Sequence, residues 1–377
     1  MTPRPGSAVD RDRTLHLAIV GLGGVGSEVI QQIIDSDNPY PMSIAAISNS
    51  RKMLLFTGDT CFLPKWSAGG LDDPNAQAAS LDGLFDALSD VAQRKPGKVV
   101  LVDNTASQAV AEAYPRFMDA GIHIVTPNKK AFSGSLELYK HIIESPADRM
   151  TGRGVFYNEA TVGAGLPIIS TLKDLVYTGD KVKKIEGVFS GTLSYIFNEY
   201  SKGDQGGPSF SSIVHIARAN GYTEPHPGDD LNGADVARKL TILSRMIPGL
   251  LDLLPNGHVD VHPTSLVPEP LRDADASTFL QRLPEFDAEM SAKRDEAAKR
   301  GNVLRYVGVI DVEQRRVEAK LDEYPKTHAF ATSLQGSDNI IMFHTARYGA
   351  RPLLIQGAGA GNAVTAMGVG SDILKLF

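Results

Sequence analysis

Residues 15–26 read LHLAIVGLGGVG, and this stretch decides the fold. The apolar run Leu15–Val20 stops abruptly at Gly21, and residues 27–34 then place apolar side chains at helical spacing, so the segment reads as a strand, a tight turn and a helix. Gly21, Gly23 and Gly26, with Gly24 and Val25 between them, match G-x-G-x-x-G. A bare match also describes an ordinary glycine-rich turn. Here it follows a strand and opens a helix, which is the context a dinucleotide needs: the first glycine makes the turn and the second admits the pyrophosphate. Backbone N–H groups at the helix start then meet the phosphates.

Working outward, residues 42–47 (MSIAAI), 98–102 (KVVLV) and 122–125 (IHIV) are further short apolar runs, each separated by enough chain for a helix. Such alternation predicts an α/β fold with a Rossmann-like parallel sheet. The sequence around Cys61, CFLPKWSAGGLDDPN, interrupts the pattern as an excursion whose role is not legible. After Thr151 the texture changes. Residues 182–189, 304–312 and 317–321 suggest a second, mixed sheet in a separate α+β domain, and residues 287–300 read as a solvated helix. GDQGGPSFSS at 203–212 reads as a mobile loop. Residues 355–369, IQGAGAGNAVTAMGV, form a second Gly/Ala-rich turn leading into a helix, consistent with either close helix packing or cofactor contact.

Composition narrows the function. With 377 residues, two domains are expected, and 42% hydrophobic with 22% charged residues is an ordinary packed protein. Lys and Arg total 38 against 44 Asp and Glu, a net charge of −6, which argues against a whole-molecule grip on nucleic acid or anionic membrane. A single cysteine permits neither an internal disulfide nor a thiolate zinc site and suits a reducing compartment. The polar amino terminus lacks the apolar core of a secretory signal, and no apolar run is long enough for a membrane helix, so a cytoplasmic location is expected.

Several clusters carry chemistry. At the end of the second strand, where an NAD site places a carboxylate on the ribose 2′-hydroxyl, the chain reads Ser48-Asn49-Ser50-Arg51-Lys52. Ser50 and Arg51 suit a 2′-phosphate, favouring NADP(H), although NAD(H) and a plain solvated turn remain alternatives. Asp103-Asn104-Thr105-Ala106 and Thr126-Pro127-Asn128-Lys129-Lys130 follow the third and fourth runs, where ligands of open parallel sheets collect. Around Glu159, the segment NEATVGAGLP can hold a hard cation through a carboxylate and backbone carbonyls, or can simply turn. The densest constellation is GYTEP at 221–225 followed by DDLNGADVARK at 229–239. Asp235 and Lys239 share a helix face, and Glu224, Asp229 and Asp230 gather just before it. An exposed ion pair is one explanation, and a lysine acting as proton donor is the other.

These stretches together resemble homoserine dehydrogenase of the short fungal type, without a regulatory domain. The motifs are VDNTAS, TPNKKAF, NEATVGAGLPII, KIEGVFSGTLSYIFNEY, GYTEP, DDLNGADVARK and QGAGAGNAVTA, and they run over nearly the whole chain. The resemblance implies reversible reduction of L-aspartate 4-semialdehyde to L-homoserine with NAD(P)H, on the route to threonine and methionine, by a homodimer. It implies a nucleotide domain over residues 1–155 completed by 350–377, and a catalytic and dimerisation domain over 156–349. It makes Gly21 to Gly26, Asn104, Thr105, Ala106, Lys129 and Gly361 cofactor contacts. Glu159 with the carbonyls of Val162, Ala164 and Leu166 becomes a sodium site. Glu224, Asp230 and Asp235 become substrate ligands and Lys239 the catalytic lysine, with Lys129 close to the reacting group. Lys239 would then stand beside the nicotinamide ring and quench the emerging alkoxide. Two rival readings are available. A phosphorylating semialdehyde dehydrogenase needs a nucleophilic cysteine, and Cys61 lies in the early excursion rather than the middle domain. A non-catalytic NADP-binding sensor on the same fold need not retain Glu224, Asp235 and Lys239 together.

Overall fold

The computed structural model describes residues 13–36, 40–56, 70–143 and 152–377, so the amino-terminal tail and Cys61 lie outside the described residues. The chain forms two compact units. The first comprises residues up to Ala131, Glu137–Gly165 and Gly361–Phe377; the second comprises Phe132–Leu136 and Leu166–Ala360.

The first unit is built on β1 (Leu15–Val20), β2 (Met42–Ser48), β3 (Lys52–Leu55), β4 (Gln77–Ala78), β5 (Lys98–Asp103), β6 (His123–Val125) and β7 (Phe156–Tyr157), in the order β4-β3-β2-β1-β5-β6-β7. β1 is central, with parallel partners β2 and β5, and all six of its residues are buried, which is why its sequence is a continuous apolar run rather than an alternating one. β3 and β4 add an antiparallel edge that the sequence reading did not foresee. Helix Leu81–Arg94 is capped by Ser80, whose hydroxyl accepts from Gly83 N, and it buries Leu84, Leu88 and Val91. Helix Gly24–Asp35 and the carboxyl-terminal helix Asn362–Leu374 share one core: Val29 and Ile30 cluster with Ala366, Val369 and Ile373.

The second unit carries β8 (Val182–Val188), β9 (Asn302–Asp311), β10 (Arg316–Pro325), β11 (Asp338–Thr345) and β12 (Leu353–Ala358), in the order β10-β9-β8-β11-β12. Every neighbouring pair is antiparallel, so the sheet is not mixed. Apolar periodicity shows that a segment is a strand but not the direction of its partner, which is the source of the difference. Because β12 pairs with β11, the chain returns to the first unit at Gly361 and not at residue 350. The segment 203–212 also differs from the mobile loop expected of it. Gly206 N donates to Asp295 at 2.9 Å, Arg294 donates to Pro208 O at 2.7 Å, and Ser209 caps helix Phe210–Ala219. Those partners lie on helix Asp287–Lys299, which is therefore not merely solvated: it buries Met290, Arg294 and Ala297.

Helix Ala234–Arg245, which bears Asp235 and Lys239, is seated on the sheet at a glycine. A Cβ added to Gly308 of β9 would lie 2.8 Å from Leu240 Cδ2 and 2.8 Å from Phe189 Cδ2. Two apolar side chains fill the space a methyl group would need, so Gly308→Ala is expected to destabilise the protein by about 1–3 kcal/mol through overpacking. A denaturant midpoint equal to that of the parent would show that the helix is not seated there.

Candidate active site and nucleotide cradle

In the first unit the glycine turn divides its work by position. Gly21 has φ +89°, and an added Cβ would meet Thr105 Cγ2 at 2.7 Å and the Asn104 carbonyl carbon at 2.9 Å. Gly26 faces the Gly21 carbonyl so closely that no side chain fits, and Gly24 lies against the Asn362 amide. Gly23, in contrast, has nothing within 4 Å of an added Cβ, so the second glycine of the motif presents bare backbone to open space. Helix Gly24–Asp35, with Val25 in its first turn, begins there with no side-chain cap and no acid in its first turn, leaving donors and a favourable dipole for an anion.

The remaining nucleotide candidates stand at strand ends. Gly21 N donates to Ser48 O and Asn104 N to Val20 O, each at 2.8 Å, which ties the tips of β2, β1 and β5 together. Both amide atoms of the Asn104 side chain are buried with no partner among the described residues, an arrangement that a bound ligand would satisfy. Thr105 Oγ1 accepts from Ser107 N at 3.0 Å, and Ala106 between them is exposed. After β2, Asn49 Oδ1 accepts from Arg51 N and Lys52 N, both at 2.8 Å, folding SNSRK into a tight turn that leaves Ser50 and Arg51 exposed. Lys52 is drawn away, donating to Leu71 O at 3.2 Å beside Asp72. Lys129 sits between β6 and the short helix Lys130–Ser133, partly exposed. Gly361, at φ +113°, opens helix Asn362–Leu374 with open space around it. Bare backbone at Gly23, an uncapped helix start and an orphaned Asn104 amide together fit a dinucleotide.

Glu159 is buried in the short 3-10 turn Glu159–Thr161, and its N–H donates to Asp372 Oδ2 at 2.7 Å. The Lys375 ammonium lies 2.7 Å from Asp372 and 3.4 Å from Glu159 Oε2. Burial pushes the Asp372 carboxyl up, and the neighbouring ammonium works against that rise. Val162 closes the turn, and Ala164 follows at φ +55°, a strained position for a residue with a side chain. In the second unit the Leu166 carbonyl accepts from Ile168 N at 2.8 Å. Within the first unit, a buried carboxylate beside the backbone of Val162 and Ala164 offers oxygen donors of the kind a hard cation takes, although Lys375 already stands near Glu159. No local feature of the sequence announces that Asp372 and Lys375 join Glu159, from 213 and 216 residues away.

The second unit assembles the acid-rich constellation around one lysine. Gly233, at φ +76° and packed on the Tyr306 hydroxyl, turns the chain into helix Ala234–Arg245, whose Ala234 N is capped by Asn232 Oδ1 at 2.8 Å. Lys239 is 7% exposed, and its ammonium lies 2.7 Å from Asp235 Oδ2 and donates to the Phe189 carbonyl at 2.7 Å. Phe189 directly follows β8, and Asn339 Nδ2 donates to the same carbonyl at 3.0 Å. Asp230 is the organiser of the neighbouring turn: it accepts from Glu224 N at 2.8 Å and from the Thr192 hydroxyl at 2.9 Å, while Thr192 also donates to Tyr222 O. Burial pushes the Asp230 carboxyl up to about 6; those two hydrogen bonds oppose the rise, and the negative charges of Glu224 and Asp235 add to it. Asp235 therefore holds a dry ammonium, and Asp230, close enough to feel the charge of Asp235, holds the turn on which Glu224 is exposed. Asp229, counted with these acids in the sequence, is exposed. Thr192, Phe189 and Asn339 are not legible in the sequence because tertiary packing brings them in: Asn339 where β11 pairs with β8, which ends just before Phe189, and Thr192 from helix Gly191–Tyr200, 38 positions from Asp230.

Comparisons with known proteins assign the family. The family model for homoserine dehydrogenase matches residues 167–374, and that for the homoserine dehydrogenase NAD binding domain matches residues 21–158. The chain is 47% identical over 372 residues to homoserine dehydrogenase of Schizosaccharomyces pombe, covering 96% of this chain and 95% of that one. It is 42% identical over 370 residues to the chloroplastic bifunctional aspartokinase/homoserine dehydrogenase 1 of Arabidopsis thaliana, covering 96% of this chain and 39% of that one. Among solved structures, a Candida auris protein described as of unknown function aligns with TM-score 0.87 at 40% identity, covering 97% of this chain and 98% of that one. A hyperthermophilic archaeal homoserine dehydrogenase in complex with NADPH shares the fold, with TM-score 0.64 at 19% identity over 96% of this chain and 97% of that one. The chain belongs to the homoserine dehydrogenase family and is an NAD(P)-dependent oxidoreductase.

Proposed function

We propose that the chain interconverts L-aspartate 4-semialdehyde and L-homoserine with NADP(H) as the preferred cofactor and with Lys239 as the proton donor to the substrate oxygen. Support comes above all from the buried Lys239 ammonium, held by Asp235 and the Phe189 carbonyl. When bound, the reduced nicotinamide supplies the hydride that the aldehyde carbon accepts. Negative charge then grows on the carbonyl oxygen, and a positioned ammonium both neutralises it and donates a proton. Asp235 keeps Lys239 in register, and its partly exposed carboxylate helps hold the charge that burial would otherwise disfavour. Glu224 presents a carboxylate to the substrate α-ammonium from a turn fixed by Asp230. Arg51 and Ser50 receive the 2′-phosphate, Asn104, Thr105 and Lys129 serve the nicotinamide end, and Glu159 with carbonyls of Val162, Ala164 and Leu166 holds a sodium ion that stiffens its turn. The catalytically competent form is a homodimer.

Three measurements test this reading. Lys239→Ala is expected to lower kcat about 10²- to 10⁴-fold in L-homoserine oxidation followed by absorbance of the reduced cofactor, with the NADPH dissociation constant nearly intact; unchanged turnover removes Lys239 from the mechanism. Arg51→Ala should weaken NADPH far more than NADH, and equal loss for both would show that Arg51 does not meet the 2′-phosphate. Asp230 takes up its proton as pH falls through about 6, and then cannot accept from both Glu224 N and Thr192. The KM for the amino-acid substrate should therefore rise below that pH, and Asp230→Asn should give a high KM with no such limb. A limb that persists in Asp230→Asn assigns the titration to another group.

A further inference from the structure

Among the buried polar residues that none of these roles uses is Asp103, at the carboxyl end of β5 in the first unit. It is completely buried, as is Tyr114, and Thr126 and Asn128 are 1% and 2% exposed. Its Oδ1 accepts from Thr105 N at 2.8 Å; its Oδ2 accepts from the Tyr114 hydroxyl at 2.5 Å and from Asn128 Nδ2 at 3.0 Å. The Thr126 hydroxyl donates to the Asp103 carbonyl at 2.7 Å and accepts from Asn128 N at 2.8 Å. Asn128 is thereby fixed at its N–H and at both side-chain amide atoms: Nδ2 also donates to Ser107 O at 3.0 Å, and Oδ1 accepts from Lys130 N at 3.1 Å. The residue between these anchored amides is Lys129.

Such a network is costly where an apolar core would serve. Burying a carboxylate disfavours its charged form, and each of these polar groups destabilises the fold unless its partners are all in place. The bonds are moreover spent on two turns, the one at Asn104–Thr105 and the one at Asn128–Lys130, both at the carboxyl ends of parallel strands, where ligands of such sheets bind. We propose that Asp103, Tyr114, Thr126 and Asn128 are positioning residues that hold the backbone at Lys129 in the geometry turnover requires. The proposal rests on the reading of Lys129 as a group close to the reacting atoms.

The test is a double-mutant cycle on kcat. Thr126→Val keeps the volume and removes the hydroxyl, so Asn128 N, the Asp103 carbonyl and the Tyr114 hydroxyl each lose a partner; the expected result is a roughly tenfold or greater fall in kcat. Thr126→Ser, which retains the hydroxyl, should restore most of the turnover. In a Lys129→Ala background, Thr126→Val should add almost nothing, because the positioned group is already gone. If Thr126→Val turns over like the parent, or multiplies the Lys129→Ala loss in full, the proposal is overturned while the reading of Lys129 stands. If Lys129→Ala itself turns over normally, that reading falls and the proposal with it. Should Thr126→Val fail to accumulate as folded protein, Tyr114→Phe takes its place in the same cycle with the same expectations, since it removes the strongest donor to Asp103 and leaves the ring packing.

Discussion

The second unit is organised around the burial of one positive charge. A lysine ammonium removed from water is strongly destabilising unless oxygen atoms replace the lost hydration, and Lys239 is 7% exposed. Two oxygens meet it at 2.7 Å, from Asp235 one helical turn earlier and from the backbone of Phe189. The first is secured by helical spacing alone. The second needs β8 to end where helix Ala234–Arg245 passes, and that closeness is possible because Gly308 offers no side chain between Leu240 and Phe189. Gly233 in a left-handed conformation starts the helix in the right place. Sheet, glycine seat and helix start are thus conditions for a single dry ammonium.

That dependence explains what the sequence could and could not disclose. The strand Leu15–Val20, the turn at Gly21 and the pair Asp235/Lys239 are local features, governed by residue type and by spacings of two to four, and they were legible. The antiparallel direction of the second sheet, the membership of β12 in it, and the Phe189 and Asn339 contacts were not, since strand pairing joins residues such as Asn339 and Phe189, 150 positions apart. The same holds for Asp372 and Lys375 at Glu159. The mobile loop expected at 203–212 failed for a related reason: its glycines and serines do favour turns, but Asp287, Arg294 and Asp295, which pin it, belong to a helix that composition alone marked as solvated.

A net charge of −6 says little about either ligand, because each unit arranges its charges locally. At the glycine turn of the first unit, the helix start carries no acid and no capping side chain, so an anion meets only backbone donors and the positive end of a dipole. The buried acids of that unit have partners: Asp103 in four neighbours, Asp372 in Lys375 and the backbone of Glu159, and Glu159 in Lys375. In the second unit Glu224, Asp230 and Asp235 are left at least partly exposed and close enough to feel one another's charge, which suits a cationic amino group.

Asp103 and Asp230 show how the same shift in a carboxyl group serves different ends. Both are raised, and in both the first cause is burial. Around Asp103 the remaining influences are hydrogen bonds from Tyr114, Asn128 and Thr105, all favouring the charged form, and no solvent reaches it. The carboxyl is therefore tied to its hydrogen-bond partners, which makes it a fixed point for the turns around it. Around Asp230 two like charges add to the rise, and the group is only partly buried, so its value of about 6 leaves it able to exchange a proton at accessible pH. A cation arriving beside Glu224 and Asp235 would offset both repulsions and draw Asp230 back toward its charged form, tightening its hold on the Glu224 turn. Substrate ammonium and turn geometry would then reinforce each other through a charge that neither residue could keep unaided.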